Sequence, residues 1–441
     1  MTTKDYLPDV RDQYETFPYP PRDPADELRR LIHSVPASLL AINHHCFNGR
    51  RDFRSGFRVL VAGGGTGDAV IFLAEQLRHF DADVVYLDMS VASREVAEAR
   101  ARVRGLTNIT WVTASIMELP RLGLGLFDYI ECTGVLHHLE SAEAGLVALN
   151  KVLADDGAIF LMLYAKYGRQ AIYDMQALLR SYLRPDTGMQ EKIRRTRQLL
   201  AALPATNSFV RDLEASGWEI SEAGFGDAGL YDLLLHSQDR CFDVPGLYAL
   251  AGSASLHLLG FAWRADDYDP DRHVTDAATR QQLASFDLPR RQALAEQFVG
   301  NLRTHEFFLA RQPERTASLA DEDNSLRSYG ALLLNAPRIA AEMVPGPGHM
   351  LRLEEQGVVF EIPCTPIAKV IYAHMDGGTS IRALRAKIRE SVSDATPEAI
   401  DQELAVVYGQ LHPRGFLYLI RAGSYAIALP DYERLFTTRP Q

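Results

Sequence analysis

The chain has 441 residues with 46 Lys+Arg against 57 Asp+Glu, a formal net charge of −11. That length predicts two or three domains with ample core, and the acidic balance argues against a nucleic-acid coat protein, since phosphate binding calls for a basic surface. Hydrophobic residues at 47% and charged residues at 23% sit at globular averages, which excludes collagen, coiled coil and disorder.

In chain order, residues 1–50 read as an arm and a helix. Pro18, Pro20, Pro21 and Pro24 favour extended, polyproline-like backbone over residues 1–24, with Tyr14, Phe17 and Tyr19 inside it. Asp26–Phe47 carries apolar residues near helical spacing, broken at Pro36. Residues 57–163 alternate strand and helix: FRVLVA, a Gly-rich turn, DAVIFLAEQLRHF, DVVYLDMS, VASREVAEARARVRG, ITWVTAS, FDYIECTG, LHHLESAEAGLVALNKVLADDG and AIFLMLYA. Continuous apolar strands separated by helices predict a parallel α/β sheet covered on both faces, within a domain spanning 51–268. A helical insertion is expected at about 166–240, with Leu256–Trp263 a further strand of the same sheet. Residues 269–343 read as a helical middle segment, LPRRQALAEQFVGNLRTHEFFLARQ being its clearest piece. VPGPGH marks a boundary, and 344–441 reads as strand, helix, turn at Asp376-Gly377-Gly378, helix, helix, strand, a winged-helix-like unit.

Cys46, Cys132, Cys241 and Cys364 lie far apart with no CxxC pair, which predicts no disulfide framework and no metal knuckle. No run of 18 apolar residues exists and the N-terminus is polar, so neither a membrane span nor a signal peptide is expected. The expectation is a soluble protein of the reducing cytoplasm.

The chemistry-bearing motif is VLVAGGGTGD, Val59–Asp68, a glycine turn between a strand and a helix. Gly63, Gly65 and Gly67 permit positive φ and let backbone approach a ligand, and the helix start offers free N–H groups. Asp88 ends the next strand, 21 residues beyond Gly67, where a carboxylate accepts ribose hydroxyls. Together they point to an adenosine-type nucleotide. The dinucleotide fingerprint needs its third glycine one residue later than Gly67.

On VLVAGGGTGD, YLDMS, ASIMELP and LFDYIECTGVLHHLES, residues 57–163 resemble the class I S-adenosylmethionine-dependent methyltransferases. The resemblance implies a Rossmann-like sheet and S-adenosyl-L-methionine as cofactor. It implies that Gly63, Gly64, Gly65 and Gly67 line the methionine moiety, Asp88 holds the ribose and Met89 packs on the adenine. Ser115 and Ile116 would border the adenine edge, and Thr133 and Gly134 would lie beneath the sulfonium. Two departures stand out. The family carries an acid two residues before the first glycine, where this chain has Val61, and an Asp where it has Ser115. Asp68 or Glu131 is the candidate for the missing charge.

His137 and His138 admit two readings, a base near the reacting methyl or residues that start and pack a helix. Tyr164 and Tyr167, past the fifth strand, sit where an acceptor would lie, Tyr164 being equally a core aromatic. Tyr14 and Tyr19 either close over the cofactor or plug an apolar surface. His236 and Asp239 form either a catalytic pair or a salt-bridged turn. His44-His45-Cys46 lacks further ligands at useful spacing and predicts no metal.

A methyltransferase core, helical segment and winged-helix-like tail also resemble the bacterial protein lysine methyltransferases, and the tail resembles small winged-helix peptide-binding chaperones. Both imply a protein or peptide substrate, with the tail aiding recognition or homodimerisation. A small metabolite buried under arm and insertion is the alternative, and a non-catalytic adenosyl-ligand sensor a third. DNA is disfavoured, since RALRAKIRES is only modestly basic.

Overall fold

The computed structural model describes residues 7–216, 222–262, 264–329, 336–355 and 358–424. Its centre is a seven-stranded sheet of order β3-β2-β1-β4-β5-β7-β6. The strands are β1 (Ser55–Ala62), β2 (Asp81–Asp88), β3 (Ile109–Thr113), β4 (Phe127–Thr133), β5 (Leu153–Tyr164), β6 (His257–Phe261) and β7 (Thr304–Ala310). The first five are parallel, and β7 runs antiparallel between β5 and β6. Alternate residues feed two cores: Val59, Val61, Tyr86, Phe160 and Phe308 on one face, Leu60, Leu87, Ile130, Leu161 and Leu309 on the other. This accounts for the unbroken apolar runs. The strand order reverses between β1 and β4, and the crevice at their carboxyl ends is the ligand position of such sheets.

Three stretches differ from the sequence reading. The arm is not wholly extended: Pro8–Thr16 is a helix, with proline at its start and every one of Pro18, Pro20, Pro21 and Pro24 beyond its end. Residues 26–47 are not one helix broken at Pro36: short 3₁₀ turns at Pro24–Leu28 and Val35–Ala37 precede the helix Leu39–Cys46. Third, 269–343 supplies strands as well as helices. The helix Leu288–Val299 stops at Gly300, whose φ of 66° is left-handed, and the chain turns into β7. Further on, β8 (Asn324–Ser328) joins the C-terminal unit.

The insertion holds the helices Gln170–Tyr182, Met189–Ala202, Ser208–Ser216 and Glu222–Leu230, the last running into a π-turn at Tyr231–Leu235. It has its own apolar core, including Ile172, Leu179, Leu200 and Leu234. The C-terminal unit contains the hairpin β9 (Met350–Glu355) and β10 (Val358–Pro363), and the sheet β11-β8-β12 with β11 (Asp376–Ser380) and β12 (Leu417–Arg421). The helices Pro366–Ala373, Ile381–Ser391 and Pro397–Leu411 pack with them around Ile371, Leu384 and Leu404. The expected turn at Asp376-Gly377-Gly378 opens β11 instead. Residues 1–6 of the arm, Trp263 and the last stretch of the tail, 425–441, lie outside the described residues. Among the described residues no helix is long and apolar enough to cross a membrane.

Candidate active site

The glycine turn is tied down from two sides. Asp88, at the tip of β2, accepts from the backbone N–H of Gly65 and of Ser90, each at 2.8 Å. Tyr86 donates its hydroxyl to the Gly65 carbonyl at 2.7 Å. From the arm, Thr66 Oγ1 donates to the Pro20 carbonyl at 2.6 Å, and a Cβ on Gly65 would stand 2.7 Å from the Tyr19 carbonyl oxygen. Gly65 has a φ of 50°, so the close approach and the left-handed backbone both select glycine there. Burial pushes the Asp88 carboxyl above its ordinary range, against the backbone N–H groups that favour its charge. Further donors would therefore be welcome to it.

A cavity of about 780 Å³ opens beside this turn. Gly63, Gly64, Gly65, Asp68, Asp88, Met89, Ser115, Ile116, Thr133 and Gly134 all line it. Gly67 does not; at φ 104° it caps the helix Asp68–Leu77 behind the turn. Asp68 is committed elsewhere. Burial opposes its charge, but Arg22 at 2.6 Å and Arg100 at 2.7 Å outweigh burial and hold its carboxyl below the usual range. Ser115 caps the 3₁₀ turn Ile116–Arg121, accepting from the Met117 N–H at 3.2 Å.

The opposite wall is built from the arm and the insertion. Tyr14, Tyr19, His138 and Tyr164 line the cavity, and so do two residues the sequence reading missed, Asp232 and Arg169. Asp232 accepts from the Tyr14 hydroxyl at 3.0 Å and the Tyr164 hydroxyl at 3.5 Å. Burial raises its carboxyl above the ordinary range, in part offset by His138 and Tyr14. The lone acid in the run Leu230–Leu235 was the available signal. Its placement depends on the π-turn, a feature that recurs at functional sites. Arg169 lies 3.5 Å over the Tyr164 ring.

His138 is held by a 2.8 Å contact from Nδ1 to the Gln238 carbonyl, which makes Nδ1 the donor, so that in the neutral ring Nε2 carries the lone pair. His137 is a correction to its pairing with His138: it does not line the cavity. Its ring stacks on Tyr164 at 3.8 Å, and neither nitrogen has a hydrogen-bond partner among the described residues. Burial keeps it neutral, the state of a packing imidazole. Tyr167, His236 and Asp239 also stand outside the lining. Tyr167 carries Lys166 over its ring at 5.6 Å. Asp239 is a structural anchor, 3.6 Å from Arg169 and accepting from Tyr173 at 3.1 Å and Gln176 at 3.0 Å. His236 backs the site, stacked on His138 at 3.7 Å.

Two clusters bring potential metal ligands together, His138/Asp232/His236 and His44/His45/His412. In the first, the imidazole planes lie 17° apart and face to face, so their in-plane lone pairs run side by side rather than converge. His236 Nδ1 also accepts from the Gln238 N–H at 3.1 Å, which puts its proton on Nε2, 3.4 Å from the Tyr14 hydroxyl. A proton-sharing network fits; a metal does not. The second cluster adds to the sequence reading a far-off histidine that spacing along the chain did not reveal. Its His44 Nδ1 accepts from the Leu419 N–H at 3.0 Å, and its Nε2 meets the Tyr408 hydroxyl at 3.3 Å, so it ties the C-terminal unit to the helix Leu39–Cys46.

Residues 60–159 match the family model described as a methyltransferase domain. An uncharacterised protein of Synechococcus is 32% identical over 276 residues, 62% of this chain and 64% of the relative. A ubiquinone/menaquinone biosynthesis C-methyltransferase of Shewanella oneidensis is 27% identical over 169 residues, 34% of this chain and 65% of the relative. The chain thus spans just under two thirds of the length of these relatives. Among solved structures, PKMT2 from Rickettsia typhi, also solved in complex with AdoHcy, superposes with a TM-score of 0.61 at 15% identity, over 88% of this chain and 75–76% of that one. The chain therefore carries a methyltransferase domain with the Rossmann-like class I fold, the domain type whose cofactor is S-adenosylmethionine.

Proposed function

We propose that this chain is an S-adenosylmethionine-dependent methyltransferase that modifies a protein or peptide side chain. One observation carries the reading: the glycine turn with Asp88 and the buried group Tyr14–Asp232–Tyr164–His138 are two walls of a single cavity. Bound there, the cofactor supplies a methyl group already activated on sulfur. Asp88 would accept the ribose hydroxyls, Met89 and Ile116 would flank the adenine, and Thr133 and Gly134 would lie beneath the sulfur. The arm, fixed to the turn through Tyr19 and Pro20, excludes water. Tyr14, Asp232 and Tyr164 would orient the acceptor in line with the methyl, and His138 Nε2 would take up its proton.

The protein reading draws on the extent of the fold likeness to PKMT2, which covers 88% of this chain and so runs beyond the methyltransferase domain. We read the C-terminal unit as winged-helix-like, aiding recognition or homodimerisation, and place the reaction in the cytoplasm. A second reading, a small-molecule acceptor, is favoured by the burial of Asp232 and His138, each 5% exposed, under the arm and insertion. The test is transfer of radiolabelled methyl into a cell lysate split by size. Label in the macromolecular fraction is the expected outcome. Label in the small-molecule fraction selects the second reading. Tight S-adenosylhomocysteine binding with no label anywhere means a sensor, not an enzyme.

A further inference from the structure

Two acids on the cavity wall have no part in these roles. On β4, Glu131 stands in register with Val61 of β1 and Phe160 of β5. On β7, Glu306 stands opposite Met162 of β5. Both acids line the same cavity as Gly63, Gly64 and Gly65. Glu131 is 1% exposed. Its Oε1 accepts from the Thr133 hydroxyl at 3.1 Å, while its Oε2 has no partner among the described residues.

A carboxyl oxygen buried without a donor is destabilising, and native structures rarely leave one without cause. Burial, with Glu306 and Asp68 adding to it, raises the Glu131 carboxyl to about 8, and burial raises Glu306 to about 7. Among the described residues no ion pair to either acid is found: Arg264 and Arg303, which share a second cavity with Glu306, pair with Asp267 and Asp212. Arg22 and Arg100 are spent on Asp68 and Glu27, and Arg169, the one Arg or Lys among the described lining residues, stacks on Tyr164 at the other wall. A ligand can bring the donor, and a charged N–H matches two neighbouring acids better than water does.

We propose that Glu131, backed by Glu306, is the subsite for the α-ammonium group of the bound S-adenosyl ligand, an inference that rests on the cofactor reading above. Strand spacing supports it. In-register residues of neighbouring parallel strands project from one face about 4.8 Å apart, within reach of a glutamate side chain. Glu131 thus places a carboxylate one strand over from the point where β1 ends in Val61. Asp68 is excluded from the role because both its oxygens are taken by Arg22 and Arg100.

The test is titration calorimetry on the full chain with two probes, S-adenosylhomocysteine and its deamino analogue, for the native protein and for Glu131→Gln. The native protein should prefer the amino ligand by about 10-fold or more. The variant should bind both alike, with the analogue's affinity held within about 3-fold of native. Equal binding of the two probes by the native protein, or a preference kept by the variant, overturns the proposal. If the native protein binds neither probe, the cofactor reading falls and this inference with it. If it binds both without discrimination, only the inference falls. Should Glu131→Gln fail to fold, the native comparison decides alone.

Discussion

Replacing Asp88 with alanine removes the one side chain that joins the glycine turn to the proposed ribose position. A carboxylate offers about four lone-pair sites. Two are used by the Gly65 and Ser90 N–H groups at 2.8 Å, which leaves one on each oxygen for a ribose hydroxyl. A hydrogen bond to a charged group contributes about 1.5–3 kcal/mol. Burial disfavours the charge on Asp88, so each donor a ligand brings favours its charged form. Loss of one such bond weakens binding about 10-fold, and loss of both about 100-fold or more, at about 1.4 kcal/mol per decade. We expect Asp88→Ala to lower S-adenosylhomocysteine affinity by at least about 10-fold in calorimetry. A melting curve measures the separate effect of loosening the turn. Affinity within about 2-fold of native in a folded variant would refute the assigned contact.

Four further outcomes follow from the same geometry. Asp232→Asn should lower methyl transfer by about 10-fold or more, with S-adenosylhomocysteine affinity unchanged within about 3-fold, because the acid faces the acceptor; a loss of affinity without loss of turnover contradicts this. His138→Gln should lower turnover on an acceptor that must shed a proton, while His137→Phe, which keeps the stack on Tyr164, should retain it within a few-fold; steady-state rates on the two variants decide. Against a His412→Gln variant, the native protein should lose folding stability as pH drops from 6.5 toward 4. Burial lowers the pKa of His412 to about 4, as it lowers those of His44 and His45, so the unfolded chain binds a proton the native state refuses; the variant lacks that loss of about 1.4 kcal/mol per pH unit, and parallel melting curves of the two proteins across that window would exclude it. Glu131→Gln should raise the melting temperature of the ligand-free protein at pH 8. The native carboxyl, raised to about 8, keeps a proton the unfolded chain releases near 4.5, so stability is lost as pH rises through that window, and an uncharged amide avoids the loss; an unchanged or lower melting temperature argues against the burial account.

The wall of the cavity built on the glycine turn was legible in the sequence because it is local. VLVAGGGTGD, Asp88, Ser115 and Thr133 sit at strand ends, and strand order alone brings strand ends together. The opposite wall was half legible. Tyr14, Tyr19, His138 and Tyr164 line it, but Asp232 and Arg169 lie in or beside an insertion whose packing no periodicity reports, and His236 and Asp239, chosen for their proximity in sequence, serve as supports. His137 shows why adjacency misleads: consecutive residues on a 3₁₀ turn face different ways, one into the cavity and one onto Tyr164. In the fold, β7 was hidden because only the four residues 300–303 separate it from the helix Leu288–Val299, and antiparallel pairing between β5 and β6 is a tertiary choice. The helix Pro8–Thr16 was hidden by the prolines just downstream, which end it rather than forbid it.

The most direct single measurement is a crystal structure of the full chain grown with S-adenosylhomocysteine. We expect the ribose hydroxyls on Asp88, the sulfur above Thr133–Gly134 and an open path from it to Asp232 and His138. Ligand density elsewhere, or an adenosyl group whose sulfur points away from that acid and imidazole, would contradict it.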